Sequence, residues 1–232
     1  MILTTCHWDG HPSDRNAQAA GQRLLENYAG LAERKEHLLG SLLDGQLPRQ
    51  WSHYPEDDAI DEGLGYQWFY HSHSPADRIG STEHGHFHLF ARRKLWSRHL
   101  QSKSERQFAS MTGDPDQRTN TRHLIAISLN AAGIPISIFT VNSWVTGDLM
   151  LAAGNTDRLL SHMTLDTGHP EIDAVLKCVV ALSRDEILDV LMARDNVLSA
   201  YRKPGLLRDE SLEILSEVPI NLDQRLAALG LF

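Results

Sequence analysis

The stretch EHGHFHLFAR, residues 83–92, decides the fold class and carries three histidines within five positions: His84, His86 and His88. Its residues alternate in character, which is typical of a β-strand whose successive side chains point to opposite faces of a sheet. The three histidines are therefore predicted to share one face of this strand. A soluble protein seldom carries histidine at this density without a functional or structural reason.

A second segment rich in aromatic residues and histidine lies just upstream. Residues 66–73, YQWFYHSH, are predicted to form a strand on which His71 and His73 share a face. The loop between the two segments permits an antiparallel pair, with both rows of imidazoles on the same side of the sheet. Trp68 and Tyr70 would then lie on the opposite side from His71.

Helical and strand patterns follow one another along the rest of the chain. Residues 13–44 carry apolar side chains at a spacing of three or four and predict one long amphipathic helix at the N-terminal end. Further strands are predicted at 122–130, at 136–145 and in SLEILSEVPIN near the end. The sum predicts an α+β fold, an antiparallel sheet flanked by helices.

We expect one domain over residues 1–232. Its predicted parts are the helix at 13–44, a histidine-rich sheet core at 51–150, a helical part at 151–205, and a final strand with a short helix at 206–232.

Composition limits the compartment and the classes of partner. The chain has a formal net charge of −8 with histidine neutral, which argues against nucleic acid or an anionic membrane as the main partner. The sequence carries neither a run long enough for a transmembrane helix nor a signal-peptide pattern. Only two cysteines occur, Cys6 and Cys178, so a disulfide framework is excluded. We therefore expect a cytoplasmic protein.

The clustered histidines form the candidate functional site. Neutral imidazole is a good ligand for zinc, iron and copper, whereas calcium and magnesium prefer oxygen. We expect one transition-metal ion held by three or four imidazoles, with a position left for water if the site is catalytic. The candidate ligands are His71, His73, His84, His86, His88 and His123.

Two residues near the predicted ligands are candidates for catalytic roles. Tyr70 could donate a proton to a bound substrate. Glu83 points to the opposite face from His84 if the strand is regular, so it is expected to be a hydrogen-bond partner of a ligand or a solvent-exposed residue. Alternation can fail at a strand end, however.

The cluster supports several functions that the sequence leaves open. With zinc, the site would activate water for attack on an ester, amide or carbonyl centre of a small-molecule substrate. With iron or copper, it would bind dioxygen beside such a substrate. The alternatives are a metal carrier or sensor without turnover, and a scaffold in which the histidines only form hydrogen bonds.

Two other stretches have open interpretations. Residues 51–65, WSHYPEDDAIDEGLG, predict a solvated acidic loop, although His53 could lie at the rim of a pocket. Residues 142–148, NSWVTGD, predict a strand-to-helix turn with Thr146 as the N-cap or, alternatively, a loop over the pocket.

Several blocks of this sequence resemble a bacterial family known as a domain of unknown function. The blocks carry the E-H-G-H-F-H motif, a downstream N-x-W-V-T-G motif and three other segments, and they span residues 51–223 in order. The resemblance implies a single-domain bacterial protein. It implies no reaction, so the expected chemistry depends on the residues themselves.

Overall fold

The structure, a computed structural model, describes residues 12–72, 82–112, 120–201 and 205–232. Within them the strands are β1 (Tyr54–Ile60), β2 (Tyr66–Ser72), β3 (Glu83–Arg92), β4 (Thr121–Asn130), β5 (Pro135–Val141), β6 (Leu149–Met150) and β7 (Ile214–Pro219). The helices are α1 (Pro12–Arg34), α2 (Gly40–Leu43), α3 (Arg93–Trp96), α4 (Lys103–Thr112), α5 (Ser143–Thr146), α6 (Ala153–Ser161), α7 (Pro170–Leu182), α8 (Arg184–Ala200) and α9 (Leu222–Ala228). Short 3-10 helices occupy Ser97–His99 and Leu206–Arg208. The predicted α+β class is confirmed.

One sheet organises the described part of the chain. Its order is β1-β2-β3-β4-β5-β7, with antiparallel neighbours throughout, and the short β6 pairs in parallel with β4. The predicted antiparallel pair of the two histidine-rich strands is confirmed, because Tyr66 lies opposite Ala91 and Ser72 lies opposite Gly85. β3 and β4 therefore run through the middle of the sheet, where almost all of their residues are buried.

The two faces of the sheet are covered differently. Trp68, Tyr70 and Phe87 face the helices and belong to the main hydrophobic core, which also contains apolar residues of α1, α7 and α8. The Trp68 indole donates a hydrogen bond of 2.9 Å to Asp173 of α7, which ties the sheet to that helix. A much smaller apolar cluster, built on Phe139 and its neighbours, lies apart from this core.

The N-terminal helix ends earlier than the sequence predicts. Lys35 adopts a left-handed conformation with φ of 57°, and the Glu36 N–H bonds the Leu31 carbonyl at 2.9 Å. The Lys35 N–H bonds the Ala32 carbonyl, which completes a Schellman ending. The prediction of one continuous helix over 13–44 is therefore wrong. Glycine usually occupies this position, so a lysine there gave no stop signal.

The acid-rich segment after α2 forms an edge strand and not a free loop. β1 pairs with β2, and Ala59 is the one fully buried residue along it. Glu56 and Asp57 are exposed, as charged residues often are on edge strands, where they discourage pairing with other chains. The pattern contains too few apolar residues to predict a strand, which explains the error at 51–65.

Among the helices in the described ranges, none combines the length and apolar character needed to cross a membrane.

We predict that Gly85→Ala destabilises the fold. A Cβ at Gly85 would clash with the Tyr70 hydroxyl and with the His71 backbone oxygen on β2. The backbone atom cannot retreat without disturbing the pairing of the strands, so we expect a loss of about 1–3 kcal/mol in the free energy of unfolding. Urea denaturation measures this loss.

The matched control is Gly154→Ala in α6, where a Cβ would meet no atom within 4 Å. That substitution should leave stability unchanged or raise it by about 0.5–1 kcal/mol, because alanine favours helices. Equal effects of the two substitutions would contradict the proposed close approach at Gly85.

Candidate metal centre

Three imidazoles converge on the sheet face that lies away from the main core. His71 of β2 lies directly opposite His86 of β3, and His88 follows on the same face of β3. One nitrogen from each of the three side chains lies within 4.8 Å of the other two, and all three residues are buried. Neighbouring strands and the period of two along β3 thus gather these rings at one point.

The spacing of these nitrogens is compatible with a tetrahedral metal site. The Nε2 atoms of His86 and His88 lie 3.0 Å apart. Two nitrogens bound tetrahedrally to zinc at about 2.0–2.1 Å would be about 3.4 Å apart, so small ring rotations suffice. Burial, followed by the neighbouring imidazoles, lowers the pKa of His88 well below its usual value. A neutral imidazole keeps the lone pair that a metal requires.

Glu83 supports the cluster from the end of β3. Its Oε1 lies 2.5 Å from Nδ1 of His86, and its Oε2 accepts a hydrogen bond of 3.2 Å from Ser128. A metal-bound histidine commonly donates its other N–H to a carboxylate, which fixes the orientation of the ring. The placement of Glu83 matches the predicted hydrogen-bond partner of a ligand.

A bulge at His84 puts Glu83 on this face. Glu83 pairs with Asn130 and Gly85 pairs with Leu129, so His84 is one residue extra on β3 relative to β4. The prediction that His84 shares a face with His86 and His88 is therefore wrong. Its Nδ1 lies 2.7 Å from the Tyr70 hydroxyl on the helix-covered side.

Tyr70 does not reach the three histidines. It is fully buried in the main core, on the opposite side of β2 from His71. Burial, together with the charge of Glu83, raises the pKa of Tyr70, so its phenol stays protonated. The hydroxyl of Tyr70 therefore contacts His84 in the core. It lies too far from the three histidines to donate a proton to a substrate beside them.

His123 joins the cluster behind His88. Leu89 pairs with Ile125 but Phe90 pairs with His123, so Leu124 is an extra residue that turns His123 onto the histidine face. Its Nε2 lies 3.0 Å from Nδ1 of His88. Burial, followed by the positive charge of Arg194, lowers the pKa of His123 to about 3.

The four side chains form a continuous chain of polar contacts from His123 through His88 and His86 to Glu83. With the Nε2 atoms of His86 and His88 bound to a metal, both rings would carry hydrogen on Nδ1. His86 would then donate to Glu83, and His88 would donate to the neutral His123. In that arrangement His123 would be a hydrogen-bond partner of a ligand and not a ligand. His73, the remaining candidate, lies outside the described residues.

A cavity of about 240 Å³ opens beside the three histidines. Its walls are mainly aromatic and aliphatic, and its other lining residues are Trp51, His53, Phe69, Phe139, Val141, Val145, Thr146 and Glu213. Val145 and Thr146 belong to α5, whose N-cap is Asn142 and not the predicted Thr146. The sequence allowed two interpretations of 142–148, a strand-to-helix turn or a loop over the pocket. The structure has the turn, and residues of the same stretch also line the pocket.

His53, at the rim of this cavity, pairs with an aspartate that lies outside the cavity lining. His53 stacks on Phe69 with ring centroids 3.7 Å apart, and its Nδ1 lies 3.1 Å from Oδ1 of Asp58. Asp58 also accepts a hydrogen bond of 2.7 Å from Gln67. Asp58 and Trp51 both have positive φ, 55° and 65°, which is an unfavourable conformation for residues other than glycine.

This rim is only weakly indicated by the sequence. The acidic residues of 51–65 suggested a solvated loop, and the close succession of Trp51, His53 and Tyr54 was the available signal of a pocket. Phe139 and Val141 carried no signal of their own, because apolar residues of a strand usually form core.

Comparison with known proteins identifies a family and no relative of established activity. A family model described as a domain of unknown function, DUF6969, matches residues 18–220. The chain therefore belongs to this family, and the resemblance to an uncharacterised family is confirmed to that extent. Searches of curated proteins and of solved structures found no match.

We predict that acid destabilises the metal-free protein through the buried imidazoles. His123 has a pKa of about 3 in the folded state, against about 6.5 when unfolded. Between these values the unfolded chain binds more protons, so the free energy of unfolding falls as the pH falls. For His123 alone the loss from pH 7 to pH 5 is about 2 kcal/mol.

Urea denaturation of chelator-treated protein at the two pH values measures this loss. His123→Asn should remove about that amount of the pH dependence, whereas His162→Asn, at an exposed position, should keep it. The same pH dependence in wild type and His123→Asn would show that this imidazole is not held neutral.

Proposed function

We propose that this member of the DUF6969 family is a metal-dependent enzyme with a mononuclear site formed by His71, His86 and His88. The observation that carries the proposal is the convergence of three buried imidazoles beside a cavity. Four imidazoles (His71, His86, His88 and His123) and the carboxylate of Glu83 are costly to bury in one region without specific partners. A bound cation, with Glu83 and His123 behind the ligands, would satisfy them together.

The donor set favours a transition metal. Imidazole nitrogens suit zinc, iron and copper, and all three proposed ligands are imidazoles. Zinc, when bound, would supply a Lewis acid that lowers the pKa of a water ligand toward ~7. We favour this hydrolase or lyase form, because three neutral ligands leave the full positive charge of the ion at the site. Iron or copper in the same ligands would support oxidation by dioxygen.

The cavity favours an enzyme over the alternative of a metal carrier or sensor. A closed storage site would surround the ion with protein ligands. Here three of the lining residues are the proposed ligands, so a small molecule in the cavity would contact the ion directly. The aromatic and aliphatic walls would hold the apolar part of that substrate and exclude water from it.

His53 is the proposed proton-transfer group. Its Nδ1 faces Asp58, as in sites where a carboxylate orients a catalytic imidazole. With Nδ1–H donated to Asp58, Nε2 is left as the atom that accepts a proton. The buried thiol of Cys178 fits a reducing compartment, and we propose a cytoplasmic location on that basis.

We predict that Glu83→Gln weakens metal binding. Glutamine keeps the shape of the side chain but removes the negative charge that faces Nδ1 of His86. Loss of such a carboxylate partner typically lowers metal affinity by about 10–100-fold. Competition for zinc with a chromophoric chelator measures the change. Glu210→Gln, at an exposed acid, is the matched control and should bind zinc like wild type. Equal affinities in the two variants would contradict the role of Glu83.

We further predict that the zinc-loaded protein hydrolyses p-nitrophenyl acetate faster than zinc in buffer. The double variant His86→Ala plus His88→Ala should lose both the metal and the activity. His53→Asn should keep one zinc per chain and lose about a hundredfold in kcat, since general acid–base groups typically contribute at least that much.

Circular dichroism of each variant checks that it is folded. Full zinc content in wild type with no rate above that of the double variant would overturn the hydrolytic proposal and favour a carrier or sensor.

A further inference from the structure

A second groove lies on the helix-covered side of the sheet. It has a volume of about 370 Å³. Its apolar residues come from the loop before β2, from β2, from α3 and from α6, and they are Leu64, Tyr66, Leu95 and Leu159. Its polar residues are Arg98, His99, Arg158 and His162. Tyr66 and His71 are an odd number of residues apart on β2, so their side chains point to opposite faces of the sheet. This groove and the histidine cavity therefore lie on opposite sides of the sheet.

The residues lining this groove carry positive charge and no carboxylate. The chain as a whole has a formal net charge of −8, so the positive charge of this groove is opposite in sign to the net charge of the protein. The two arginines are near enough to His99 to lower its pKa, an effect that comes second to burial. Grouping like charges is unfavourable unless an anion neutralises them.

Acidic neighbours of the groove have other partners. Glu62 pairs with Arg92 at 3.7 Å, and Asp157 pairs with Arg184 at 2.6 Å. Asp61 is buried, and its carboxylate accepts a hydrogen bond of 2.9 Å from the Leu64 N–H. These acids therefore hold the surrounding structure and are not among the residues that line the groove.

The floor of the groove is apolar and is crossed by a hydrogen bond between β2 and α6. The Tyr66 hydroxyl donates a hydrogen bond of 2.8 Å to the Leu159 carbonyl, which joins β2 to α6 beneath the charges. Leu64 at the rim is 49% exposed. On the cationic side, Nε of Arg98 donates to the Leu95 carbonyl at 3.3 Å, which orients the guanidinium. The fork of Nη groups beyond it matches the geometry of a phosphate.

We propose that this groove binds a small phosphate monoester with an apolar substituent. The guanidinium groups of Arg98 and Arg158 bind the phosphate oxygens, and His99 and His162 add hydrogen bonds at the edge. The apolar substituent lies on Leu64, Leu95 and Leu159. Two cations match the charge of a phosphate monoester near neutral pH.

Isothermal titration calorimetry with phenyl phosphate tests this proposal. The protein is treated with chelator, so that phosphate cannot bind a metal at the histidine site. We expect saturable binding of one phenyl phosphate per chain, with weaker binding of inorganic phosphate and of phenol, because each lacks one of the two parts. Arg98→Gln and Arg158→Gln should each weaken binding by about tenfold or more.

Both arginines are exposed, so the variants should fold, and thermal unfolding checks this. Arg23→Gln, at an exposed arginine of α1 that does not line the groove, is the matched control and should bind like wild type. Absence of saturable binding, equal affinity in all three variants, or equal affinity for phenol would overturn the proposal. The metal site is not involved in any of these outcomes.

Discussion

Two extra residues in the central strands determine which side chains meet beside the cavity. His84 in β3 and Leu124 in β4 each interrupt the alternation of faces. Without the first, Glu83 would point toward the helices, and without the second, so would His123. Each bulge interrupts the regular backbone pairing of the two strands. Each also places the side chain of Glu83 or His123 within hydrogen-bond distance of a histidine. The hydrogen-bond partners proposed for the metal ligands depend on both irregularities.

The unequal covering of the sheet explains why the histidines gather on one of its sides. The helices fill one side with a large apolar core, while the other side carries histidines and a small apolar cluster. On that side the polar contacts from His123 to Glu83 measure 3.0, 3.0 and 2.5 Å and hold the rings in defined orientations. Such pre-organisation would lower the entropic cost of binding a metal ion.

The sequence predicts the regular parts of this structure and misses its irregular parts. Alternation identified β2 and β3 and placed His71, His86 and His88 on one side of the sheet. It could not predict the bulge at His84, because a single extra residue leaves no trace in composition yet reverses every face beyond it. Likewise, α1 ends at a left-handed Lys35, where a glycine would have been the usual signal. The edge strand β1 has too many acidic residues to be predicted as a strand from its pattern.

The central claim is that His71, His86 and His88 share one metal ion, and X-ray absorption spectroscopy of the zinc-loaded, untagged protein tests it most directly. We expect nitrogen or oxygen neighbours at about 2.0–2.1 Å with the outer scattering of three imidazoles. When His86 and His88 are both replaced by alanine in a folded variant, the bound zinc and this imidazole scattering should both be lost. Zinc surrounded by oxygen alone, or an unchanged spectrum in that variant, would contradict the claim.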